Sequence, residues 1–81
     1  MPRPSKTPEP TAAQVYAARR ADIDRLVKAL TSNLRDHARD HRSRPTDWGL
    51  AGDLGKVRED LINLVGFMTE MDPEEVEATL K

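Results

Sequence analysis

Between Thr11 and Pro45 the chain holds neither proline nor glycine, and this uninterrupted run constrains the fold more than any other feature. Proline breaks a helix interior and glycine weakens it by about 1 kcal/mol relative to alanine. A long stretch free of both, and rich in Ala, Leu, Arg, Lys and Gln, predicts one helix over about residues 12–43. Thr11 followed three residues later by Gln14 has the form of a capping box. At about 100° per residue, Val15, Tyr16, Ile23, Leu26, Val27, Leu30 and Leu34 fall on one stripe. Arg19, His37 and His41 lie in the same sector, so the stripe is polar near both ends.

Pro45 ends this helix and biases Arg44 toward extended backbone. Thr46 or Asp47 can cap a second helix over about residues 47–70. Its main stripe is Leu50, Leu54, Val57, Leu61, Leu64, Val65 and Met68. Gly49 and Gly52 leave a second start open: if they mark a loose turn, the helix begins at Asp53. Asp72-Pro73-Glu74-Glu75 then reads as N-cap, N1, N2 and N3 of a short third helix over about residues 73–80, with Met71 and Val76 placed as a hydrophobic staple. Residues 1–10 carry Pro2, Pro4, Pro8 and Pro10 and read as a disordered Pro-rich tail; a recognition arm is the competing reading.

The expected fold is therefore all-α, with a single helical domain over residues 11–81: an antiparallel hairpin of two long helices plus a short C-terminal helix. The second helix is too short to cover the whole first one, which leaves Val15 and Tyr16 to be covered by the third helix or by another chain. Trp48, Ala51, Gly55, Ile62 and Gly66 form a second face on the second helix. Together with Tyr16 they make the expected interface of a bundle completed by homo-oligomerisation, as a homodimer or tetramer.

Composition removes whole classes of function. With no cysteine among 81 residues there is no disulfide framework, thiolate metal site or cysteine nucleophile. No long apolar run exists to span a membrane, and the N-terminus has no apolar signal core, so a cytoplasmic protein is expected. No glycine-rich phosphate loop, nucleophile elbow or paired acid–base carboxylates appear, and the expectation is a non-catalytic protein without a cofactor. His37 and His41 stand at i and i+4, a spacing that can hold a metal, but the sequence forces no third ligand.

Net charge is -1, yet it is unevenly spread. Residues 12–44 carry eight basic and four acidic side chains, whereas residues 45–81 carry three basic and nine acidic ones. Lys28, Arg35, Arg39 and Arg42 form an outer basic strip on the first helix. Such a strip can follow a phosphate backbone, but no aromatic is interleaved with it for base stacking. A small protein–protein interaction module that binds itself, or another protein, is the leading expectation. A nucleic-acid-associated accessory protein using that strip is the alternative.

Overall fold

Proline and the capping residues divide the chain into three helices. A computed structural model describes residues 9–81, and the first eight residues of the proline-rich tail lie outside the described residues. Helix α1 spans Ala12–Ser43, α2 spans Trp48–Thr69 and α3 spans Pro73–Ala78; among the described residues there is no strand. The chain divides into two units, Met1–Ala38 and Arg39–Lys81, with the boundary inside α1.

The first unit is, in its described part, the N-terminal portion of α1. Its start is fixed as a capping box. The Thr11 N–H donates to Gln14 Oε1 at 2.9 Å, and the Gln14 N–H donates to Thr11 Oγ1 at 3.1 Å. An ion pair from Arg20 Nε to Asp24 Oδ1 at 3.0 Å supports the exposed side of the helix. Asp24 therefore pairs toward the N-terminus, with Arg20, whereas spacing alone also allowed Lys28.

The second unit begins with the last turn of α1 and a tight reversal. The Asp47 N–H donates to the Arg44 carbonyl at 3.1 Å, closing a turn with Pro45 at its second position, where its fixed φ is already correct. Asp47 then caps α2 by accepting from the Gly49 N–H at 2.8 Å. The Asp47 cap places the start of α2 at Trp48, so Gly49 and Gly52 lie within the helix and the later start at Asp53 is not used. On the outer side of α2, Asp60 holds the Lys56 ammonium at 2.8 Å. The hydrogen bond and charge of Asp60 raise the Lys56 pKa above its ordinary 10.5. This contribution is present below that value and is lost as pH rises through the folded pKa.

Two local devices turn the chain from α2 into α3. Glu70 adopts the left-handed conformation, φ 59° and ψ 32°, and the Met71 N–H reaches back to the Gly66 carbonyl at 3.0 Å. Two residues on, Glu75 Oε1 accepts from the Asp72 N–H at 3.0 Å within a capping box, and Pro73 occupies the first helical turn. Val76, the staple position, is 5% exposed, and its partner Met71 is half-buried. The helix closes earlier than the sequence pattern implied. Thr79 caps it, its hydroxyl donating to the Val76 carbonyl at 2.6 Å, and the last residues continue as single turns.

A non-glycine residue in the left-handed region costs roughly 1 kcal/mol. Glu70→Gly is therefore expected to raise stability by about 0.5–1 kcal/mol, read from denaturant unfolding followed by circular dichroism. An unchanged or lowered midpoint would contradict this account of the turn.

Candidate functional site

The α1 stripe forms as its spacing requires, but in its own unit it has nothing to press against. Among the described residues that unit contains one helix, and Tyr16 is 72%, Ile23 52%, Leu26 66% and Val27 54% exposed. Val15, Leu30 and Leu34 are half-buried. No residue of α1 is fully buried.

In the second unit α3 packs on α2, and the face it chooses matters. A Cβ built on Gly66 would lie 2.8 Å from the Met71 carbonyl oxygen and 3.7 Å from Val76 Cγ2. Gly66 is buried under this turn. Ile62 is half-buried, and beside it a groove of about 340 Å³ runs between Gly55, Arg58 and Asn63 of α2 and Pro73, Glu74 and Glu77 of α3. Arg58 Nη1 pairs with Glu77 Oε2 at 3.0 Å across the two helices. The chain's own α3 thus occupies the C-terminal part of the second face of α2. Gly66, expected at an interface with another chain, instead gives room to Met71 and Val76.

What α3 leaves open falls into two patches. The first is the main stripe of α2, where Leu54 is 45%, Leu61 40%, Leu64 58%, Val65 45% and Met68 76% exposed. Only Leu50 of this stripe is buried, and Val57 is half-buried. Phe67 widens the patch. It is 81% exposed and follows Leu64 by three residues, so the apolar surface continues across Leu64 on this side. Phe67 belongs to neither face read from the spacing; its signal in the sequence is a lone aromatic one position outside a leucine stripe.

The second patch is at the start of α2. Trp48 is 85% exposed and Ala51 is exposed. With His41, Pro45, Thr46 and Asp47 they line an open groove of about 350 Å³. The groove is built on the Pro45 turn, closed by a backbone hydrogen bond, and on the cap in which the Asp47 carboxylate accepts from the Gly49 N–H.

His37 is half-buried and His41 exposed, and among the described residues no group of three or more His, Cys, Asp or Glu side chains is placed to share a metal ion. Lys28, Arg35, Arg39 and Arg42 are all exposed along α1. Among the described residues no helix is long and apolar enough to cross a membrane. Comparison with protein-family models, curated proteins and solved structures returns no match.

The two glycine environments on α2 give opposite expectations. Gly52 has nothing within 4 Å of a built Cβ, so Gly52→Ala should gain the ordinary helix preference of about 1 kcal/mol. Gly66→Ala should lose about 1–3 kcal/mol, because the added methyl meets a backbone carbonyl that cannot swing aside. Thermal unfolding of both variants measures the contrast. Equal shifts would show that α3 does not sit on Gly66.

Proposed function

We propose that this chain is a small, non-catalytic helical module that works by protein–protein contact and associates with itself. In this reading the two long helices form an antiparallel hairpin, and hairpins combine as a homodimer or tetramer into a helical bundle. The observation that carries it is the α1 stripe: a lone helix in its unit, with four large apolar side chains more than half exposed. Helices in proteins draw most of their stability from packing an amphipathic face rather than from intrinsic propensity. The α2 patch supports the same reading, because α3 covers the other face and leaves Leu61, Leu64, Val65 and Met68 for a further surface. Exposed contiguous apolar surface rimmed by charge is the usual mark of a contact site.

The charge pattern supports pairing between unlike halves. Residues 12–44 are net positive and residues 45–81 net negative, which favours α1 against α2, within the hairpin or between copies.

Light scattering after size exclusion tests the reading. The expected mass is a multiple of 9.1 kDa. A Leu26→Glu, Leu64→Glu variant is expected to fall to the monomer mass and to lose helicity, because each buried leucine contributes about 1.5–3 kcal/mol. A wild-type chain that is monomeric and still unfolds cooperatively would overturn the proposal.

A further inference from the structure

We propose that the α1 stripe pairs antiparallel with the α1 stripe of a second copy of this chain, centred between Val27 and Leu30, an inference that rests on the self-association reading above. That reading leaves open which surface covers α1; the order of residues along the stripe and the charges beside it name the occupant and its direction.

The residues along the seam select a second copy. Where two helices pack side by side, the contacting positions recur at alternating steps of three and four. On α1 these are Arg20, Ile23, Val27, Leu30, Leu34 and His37, all within the first unit. Ile23 and Val27 are more than half exposed, and Leu30 and Leu34 are half-buried. Four apolar residues thus stand between an arginine and a histidine, and the pattern of polar and apolar positions is the same from either end. A two-fold axis between identical chains requires a surface that complements itself in this way. Antiparallel pairing about the midpoint sets Ile23 against Leu34 of the second copy and Val27 against Leu30 of the second copy. The four apolar layers are then contiguous, with no polar residue among them.

Charge decides the direction. Parallel pairing in register would match the same four layers, so packing alone does not separate the two arrangements. Arg19 and Arg20 border the seam on opposite sides, and both are exposed. A parallel pair sets Arg20 against Arg20 of the second copy, with both Arg19 side chains at the same level. The carboxylate that borders the seam there, Asp24, is held by Arg20 of its own helix at 3.0 Å. The guanidiniums at that level therefore outnumber the carboxylates beside them. Antiparallel pairing places His37, rather than a second arginine, opposite Arg20. It also separates the two arginine pairs. From position 20 to position 37 the helix rises about 25 Å at ~1.5 Å per residue. Exposed charges that far apart are screened, because the Debye length at physiological salt is about 8 Å.

Cysteine is absent, so cross-linking reads the direction without background. Full-length Ile23→Cys and Leu34→Cys chains are refolded and oxidised separately and as a mixture, with circular dichroism and light scattering confirming that each sample is helical and assembled. The expected result is several-fold more disulfide dimer in the mixture than in either chain alone. In the antiparallel pair, like cysteines stand about 16 Å apart along the axis, and a disulfide needs Cα atoms within about 7 Å. Leu26→Cys and Asn33→Cys, at two exposed positions on one side of the stripe, repeat the test with the four central layers intact and decide it where the first pair does not fold. Dominant like-pair dimers of Ile23→Cys would show a parallel pair and overturn the proposal. An assembled chain in which neither mixture cross-links would place the stripe against a different surface, which overturns the proposal and leaves self-association standing. A monomeric wild type would overturn self-association itself.

Discussion

The α1 stripe is the constraint on which the rest of the structure depends. A run from Ala12 to Ser43 without a breaker commits the chain to a helix, and the spacing of Ile23, Leu26, Val27 and Leu30 commits that helix to an amphipathic face. Such a face stabilises a helix only by leaving water. Among the described residues the first unit contains no second element to take it up, and the short α3 is engaged with α2. The proposed association supplies that face with a further surface.

The corner between α2 and α3 shows what the chain does complete by itself. A left-handed Glu70, the Met71 bond to Gly66 and the Asp72 capping box reverse the backbone within a few residues. The absent side chain of Gly66 lets the Met71 carbonyl approach, and Val76 closes the contact. Arg58 and Glu77 add an exposed pair, of the kind worth a few tenths of a kcal/mol to about 1 kcal/mol. This is a small core, and it lies on the second face of α2 rather than on the leucine stripe. The consequence is a unit that folds its C-terminal helix down while keeping Leu61, Leu64 and Met68 outward.

How much of this could be read from the residues depended on whether the signal was local. The two capping boxes, the Pro45 break and the order of three helices depend on neighbours three or four residues away, and they appear where spacing put them. The start of α2 required choosing between Asp47 and Asp53, which the Asp47 hydrogen bond to Gly49 decides. The role of Gly66 was not legible. A helical wheel gives the direction in which a glycine looks, not the element that arrives there, and the same small residue serves an approaching partner or the chain's own turn. The end of α2 falls within one residue of the expected position, but its left-handed cap was not legible, because that position is held by Glu70, where glycine is the usual marker. Phe67 was missed because it widens a stripe instead of repeating it. For the candidate surface, the residues of the α2 stripe and Trp48 were visible in the sequence, but the choice α3 makes between the two faces of α2 is a tertiary fact.

The central claim is that the stripes are buried between chains, so that folding and association are one process. Thermal unfolding followed by circular dichroism over a wide range of chain concentration tests it most directly. If the stripes are buried in an assembly, the midpoint rises steadily with concentration, as mass action requires when the folded state is the associated one. A midpoint that is the same at the lowest and highest concentrations, with a single cooperative transition, would contradict the account.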